Sequence, residues 1–443
     1  MSLFEQLADR VSQYQQQLKK GRYPFLATET SGLSRAWVLK QHADGCRPVK
    51  AQASIAMDKS PPPLEDEPPE PAPSRTSAPP GTGNTPPATA QKSRSSQVDD
   101  DDDDEEDCPP PFDMLDLPKG MEAMGFKYAA YCARRWFNGR AHVIPDKSDT
   151  MFDEAFVDTD SLKLSWVLGF GDVRKHYDWL LDSELKSTAH ENIYNSPARK
   201  ELLNKFERFM KRYDYQYTGT LDTLANCDND KQLLHKRFQF QHADVPMLDV
   251  IANLKTAYQG VGMNDLAAAI GNFSLYAAIA SAEIRVVRYN RYDPVPWRQC
   301  LHATVTITHV YVYARDYYSF NDAGHSVSQY LGHWNHRGVI IALDGAIADV
   351  ISKKLASKRR FELANDARYY LPSIPDHIDK PVDIKSQLRK GNVYYPIRNH
   401  DFRRWRELKK RGGDFVIYSD LKRIKLTKPI VVDLGEVCWE YER

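Results

Sequence analysis

Two stretches of the chain concentrate the side chains that carry charge, move protons or bind metals. The first runs Tyr313-Ala314-Arg315-Asp316-Tyr317-Tyr318-Ser319-Phe320-Asn321-Asp322, passes His325, and reaches Gln329-Tyr330-Leu331-Gly332-His333-Trp334-Asn335-His336. Asp316, His325 and His333 are the candidate catalytic residues, because a carboxyl and two imidazoles can divide the acid and base roles or hold a divalent ion. The histidine spacing fits no zinc pattern and contains no helical i, i+4 pair, so no metal site is assigned. The alternative is a hydrogen-bonded hairpin core that turns at Asn321-Asp322-Ala323-Gly324.

The second stretch extends from Asn399 to Asp420. Between His400 and Lys428 ten basic residues face four acids. Arg403, Arg404, Trp405, Arg406, Lys409, Lys410, Arg411 and Asp414 form a candidate anion-binding patch, where cations beside an indole can hold phosphate or stack on a base. Against this stands a plain solvated helix face, with Asp414 and Asp420 pairing with the arginines. Asp158-Thr159-Asp160 reads as a turn, and Gly169-Phe170-Gly171 lacks the third glycine of a nucleotide loop. Nucleophile-elbow, zinc-protease and Walker A signatures are absent, which lowers the familiar hydrolase and kinase classes. No cofactor is indicated.

The elements that must carry these residues follow from periodicity. Apolar residues at three- and four-residue spacing predict helices around 121–136, 173–181 and 248–258. Ser196-Pro197 opens another helix, with Leu202, Phe206, Phe209 and Tyr213 on one face. Leu162, Leu164, Trp166 and Leu168 alternate like a strand, and 265–284 reads as a buried helix. Beyond it the period becomes two. A long strand is predicted over 301–315, with shorter ones at 339–343, 393–397, 415–419, 430–434 and 437–441 and a weak helix at 345–355 between them. Asp401 caps and Gly412-Gly413 stops a short basic helix. The fold class is α+β: a helical first half of the body, then a mainly antiparallel β half.

Composition divides the chain into a head, 1–58, a tether, 59–112, and a body, 113–443. Fourteen prolines and the nine consecutive acids of 99–107 leave the tether without helix or ladder. Neutrality is an average over unlike parts: the formal charge is +4 over 1–59, −10 over 60–112 and +6 over the remainder. Such a distribution permits competition between the tether and an anionic partner. In the head, Leu3, Leu7, Val11, Tyr14 and Leu18 form one helical face, which either folds back on the body or docks on a partner. The amphipathic N-terminus argues against Sec export. The polar interruptions of 266–284 argue against a membrane span. Six cysteines without paired spacing read as separate reduced thiols of a cytoplasmic protein.

The segments 130–137, 165–180, 310–334 with its Gln329-Tyr330-Leu331-Gly332, and 399–420 with its Gly412-Gly413-Asp414-Phe415 resemble a proteobacterial family of unknown function. That resemblance implies a Gram-negative origin and a neighbourhood of type VI secretion and polymorphic-toxin genes, and it transfers no catalytic residue. The leading expectation is therefore a type VI-associated effector or cargo protein of the bacterial cytoplasm. Its head would engage a secretion-apparatus or chaperone partner, and an immunity protein would be a further partner. A non-enzymatic accessory scaffold is the alternative, and an envelope-directed or phosphate-ester hydrolase the third. Nucleic acid is the weakest partner class.

Overall fold

The computed structural model describes residues 37–39, 46–48, 55–64, 112–145, 150–185, 192–250, 263–292, 298–321, 328–336, 338–340, 382–383 and 393–440. The predicted head helix, the acidic run, the helix at 345–355 and His325 lie outside them.

In chain order, β1 (Trp37–Leu39) and β2 (Cys46–Pro48) form an antiparallel pair. The helical part contains α1 (Leu117–Ala123), α2 (Lys127–Asn138), β3 (Val157–Leu162), α3 (Val173–Leu181) and α4 (Ser196–Arg212). Next come β4 (Gly219–Asp222), α5 (Lys231–Phe238) and β5 (Gln239–Val245). The long strands β6 (Phe273–Arg291) and β7 (Arg298–Tyr318) precede β8 (Tyr330–Asn335), β9 (Gly338–Ile340), β10 (Val382–Asp383) and β11 (Val393–Arg398). Helix α6 (Asn399–Lys409), β12 (Phe415–Ser419) and β13 (Lys422–Glu440) close the chain.

The antiparallel pair β6–β7 is the axis of the main sheet. Along the outer side of β7 lie β12 and then β13, end to end; along β6 lie β5 and then β4. Strand β3 adds to β12 in parallel. A separate sheet has the order β10-β11-β8-β9. The architecture is thus α+β with mainly antiparallel pairing. In the distal half of β7, Leu301, Ala303, Val305 and Ile307 are buried and the residues between them are part-exposed, the alternation of a sheet covered on one side. From 310 to 315 every residue of β7 is buried, so both faces are covered where the polar cluster sits.

That double burial explains one difference from the sequence reading. Within 265–284 only Asp265–Ala269 is helical; Gly271, at φ +55°, turns the chain into β6. Leu275, Ala277, Ala278, Ile279 and Ala280 are all buried, and a strand covered on both faces has the continuous apolar character of a buried helix. Similarly, β3 ends at Leu162 and 164–167 is a helical turn rather than a strand. The segments 430–434 and 437–440 belong to the single strand β13.

The cysteines require a correction. Cys300 and Cys438 are joined in a disulfide, not free thiols. They are 138 residues apart, but the β7–β13 register sets them directly opposite each other with Cα atoms 4.1 Å apart. Spacing rules look for close neighbours in sequence and pass over such a pair. Cys132 and Cys227 are free and buried.

Ahead of the tether, the segment at 55–59 packs as part of the body. Ile55 and Met57 are buried in the common core, Ala56 bridges Asp113, and the Asp113 carboxylate accepts the N–H groups of Asp58 and Lys59. No helix among the described residues is long and apolar enough to cross a membrane.

Candidate functional site

The two polar stretches of the sequence meet, because β7 and β12 are neighbours whose register places Arg315 opposite Tyr418 and Asp316 opposite Ile417. The meeting produces two different environments on the β7–β12 side of the body.

The first is a sealed ion pair. The Asp414 carboxylate, 0% exposed, accepts from Trp136 Nε1 at 2.9 Å, Asn321 Nδ2 at 2.8 Å, Arg406 Nη1 at 3.0 Å and the Ile144 N–H at 3.2 Å. Arg406 also donates to the His142 carbonyl and to Asn321 Oδ1. A carboxylate with four donors and no solvent access is a structural anchor. The rest of the basic patch is largely engaged as well. Arg403 donates to the Phe320 carbonyl, Arg411 to the carbonyls of Asn138 and Gly139, and Lys409 to that of Asp58. Trp405 is fully buried against Trp136 and Phe137. Arg404 and Lys410 are exposed. Of the alternatives read from sequence, the pairing of Asp414 with an arginine is what the geometry shows.

The second environment is a shelf across four strands. Register aligns His242, Tyr276 and Tyr313 in one row, and Asp244, Ser274, Arg315 and Tyr418 in the next. Arg315 Nε donates to Tyr418 Oη at 2.9 Å and Nη2 to Tyr317 Oη at 2.6 Å, with its guanidinium carbon 4.4 Å from the Tyr317 ring centre. Burial raises the Tyr276 pKa, and the neighbouring Arg315 charge and Ser274 hydroxyl oppose that rise. From α5, His235 Nδ1 lies 2.7 Å from Tyr313 Oη and its ring meets Tyr276 edge-on. Arg315 is 8% exposed, yet among the described residues it has no carboxylate partner. Asp244, in the same row, is bonded to Ser274 at 2.6 Å instead. The shelf grades from exposed His242 and Asp244 through half-buried Ser274 and Tyr276 to buried Arg315.

Its electrostatics follow from burial. Burial opposes the Arg315 charge, but the Tyr418 and Tyr317 oxygens outweigh it and raise its pKa. Burial, reinforced by the Arg315, Lys205 and His242 charges, holds His235 down to about 2. Burial pushes Tyr418 up to about 12 and Tyr313 well above its ordinary value. At neutral pH the shelf core is therefore one permanent cation among neutral hydroxyls and a neutral imidazole. A cation set among hydroxyl donors has the chemistry to accept an anionic partner.

Asp316 and His333 of the predicted catalytic set are not on this shelf, and His325 lies outside the described residues. Asp316 alternates to the opposite face of β7, where burial raises its carboxyl well above the usual carboxylate range. His333 lies in β8 of the other sheet, its backbone paired with Ile340 and Pro396. Arg315 and Tyr418 stood inside the two polar stretches but were not singled out. His235, Tyr276 and Ser274 carry no sequence signal, since only strand register and the packing of α5 bring them in.

Fold and site together define an α+β protein with a long-stranded, mainly antiparallel sheet carrying a buried arginine–tyrosine cluster. The chain belongs to the DUF6402 family, a family of unknown function whose model matches residues 112–434. No curated protein and no solved structure matches the chain.

Proposed function

We propose that the body is a non-catalytic binding module that captures an anionic group, a carboxylate or phosphate, on Arg315. The observation that supports this is a buried guanidinium that has no carboxylate partner among the described residues. An unneutralised buried charge costs stability, and a ligand anion would supply the missing partner. Tyr317, Tyr418 and Tyr276 would orient the guanidinium, and Ser274 would add a hydroxyl at the open side. Binding of this kind suits either a type VI-associated cargo protein of a Gram-negative bacterium or an accessory scaffold. Hydrolysis is disfavoured because Asp414 is sealed and Asp316 and His333 lie in different sheets.

The test uses the full chain in thermal-shift and calorimetric titrations with phosphate, sulfate and succinate. Wild-type protein should show a dose-dependent rise in Tm, as any ligand that binds only the folded state produces. Arg315→Met should lose that rise while keeping or increasing the Tm in anion-free buffer, because a buried unpaired charge is replaced by an apolar side chain. An anion-dependent shift that persists in Arg315→Met overturns the reading. So does hydrolysis of a phosphate ester that Asp316→Ala or His333→Ala abolishes.

A further inference from the structure

A second recess lies far from Arg315, at the end of the sheet where β7 and β13 carry the disulfide. It encloses about 470 Å³ and is lined by Asp214, Tyr215, Gln216, Arg288, Gln299 and Trp439, with Cys300 and Leu301 behind them. Its walls are two aromatic rings, Tyr215 and Trp439, with centroids 6.1 Å apart and planes at 69°. Trp439 is 44% exposed, an unusual position for an indole, and no element among the described residues covers it. The polar rim is made of two amides, one carboxylate and one guanidinium, and Arg288 is hydrogen-bonded to Gln216.

Two features show that the aromatic walls are held in place. Asp214 and Tyr215 both adopt left-handed backbone conformations, at φ +49° and +56°, which non-glycine residues take at a cost. The turn is held by hydrogen bonds from the Asp214 N–H to Lys211 and the Tyr215 N–H to Met210, which aim the tyrosine at Trp439. On the other side, Trp439 follows directly on Cys438, whose disulfide to Cys300 fixes the strand that presents it. Pre-set aromatic walls lose little freedom when a ligand binds.

From these observations we infer that the recess is a saccharide-binding site. A sugar ring has an apolar C–H face that stacks on aromatic rings and a girdle of hydroxyls that both donate and accept. Gln216 and Gln299 do both, Asp214 accepts and Arg288 donates, so every hydroxyl polarity is matched. The single carboxylate and single guanidinium cancel, so the recess selects neither anions nor cations. Its shallow, half-polar form suits a ligand that stays partly in water rather than an apolar one. This site is independent of the anion shelf.

The test is titration of the full, oxidised chain with cellobiose, maltose and N,N′-diacetylchitobiose, followed by calorimetry and tryptophan fluorescence, together with a glycan array. At least one glycan should bind. Trp439→Ala should weaken that glycan by at least about tenfold, equivalent to about 1.4 kcal/mol. Trp439→Phe should keep part of the affinity, and Arg315→Met should leave it unchanged. Circular dichroism of the variants separates loss of binding from loss of fold. The inference is overturned if no glycan binds, if Trp439→Ala binds as wild type, or if tetramethylammonium binds in place of sugars.

Discussion

At the scale of single residues, two half-buried titratable groups, His235 of α5 and Asp316 of β7, act on stability in opposite directions. His235 has its folded pKa depressed to about 2 by burial and by the Arg315, Lys205 and His242 charges. The unfolded chain then binds the extra proton below about pH 6.5, so this residue makes stability fall as pH drops. Asp316 has its folded pKa raised by burial. Its contribution is full below about pH 3.8 and is lost as pH rises, because the folded state keeps a proton that the unfolded chain releases. Between about pH 4 and 6.5 the two slopes oppose each other, each limited to about 1.4 kcal/mol per pH unit. Denaturation midpoints across that window should vary little in the wild type from this pair. They should rise with pH in Asp316→Asn and fall with pH in His235→Gln. Parallel profiles in all three proteins would show that neither group titrates as its burial requires.

At the scale of elements, a glycine and a disulfide control how strands meet helices. After α6, Lys410 takes the left-handed conformation and Gly412, at φ +101°, passes against the Trp136 indole. A Cβ on Gly412 would lie 2.5 Å from the Trp136 ring, which is fully buried and has nowhere to move. Gly412→Ala should therefore cost at least about 2 kcal/mol, combining overpacking with backbone strain. Urea denaturation measures it, and a loss below 0.5 kcal/mol, on the order of a neutral surface change, would be inconsistent with the packing. The Cys300–Cys438 link closes a sequence separation of 138 residues. Replacing both cysteines by serine should lower stability by up to roughly 5 kcal/mol in the chain-entropy account. An unchanged midpoint under oxidising conditions would mean that the β7–β13 ladder holds this end of the sheet unaided.

For the molecule as a whole, the anchoring of residues 55–59 changes what the tether connects. Ala56 bridges Asp113, so the residues that flank the proline-rich and acidic stretch lie side by side on the body. Both flanks belong to one folded unit, and residues 1–54 precede the anchor. Removing 1–54 should leave the thermal transition of the body in place. Removing 1–60 should lower it, because Ile55 and Met57 leave the core, at about 1.5–3 kcal/mol for each side chain. The Asp113 carboxylate also loses two backbone donors. Equal midpoints for the two truncations, measured by scanning calorimetry, would show that the anchor contributes nothing.

Local pattern was enough for much of this. Amphipathic spacing located α2, α3 and α4, alternation located β7, and residues 415–419 are β12 from end to end. The positions of charge and proline are also properties of the chain itself, because they do not depend on which residues become neighbours. What depended on neighbours could not be read. Residues 273–284 read as a helix because burial on both faces of β6 erases its alternation. The disulfide needed the β7–β13 register, and Arg406 needed Asp414 brought beneath it. The arginine–tyrosine shelf draws His242, Tyr276, Arg315 and Tyr418 from four strands. Periodicity is a property of one segment and survives in the sequence. Register is set between segments by hydrogen bonding and core packing, so only the tertiary structure decided which polar residues formed a site and which became its supports.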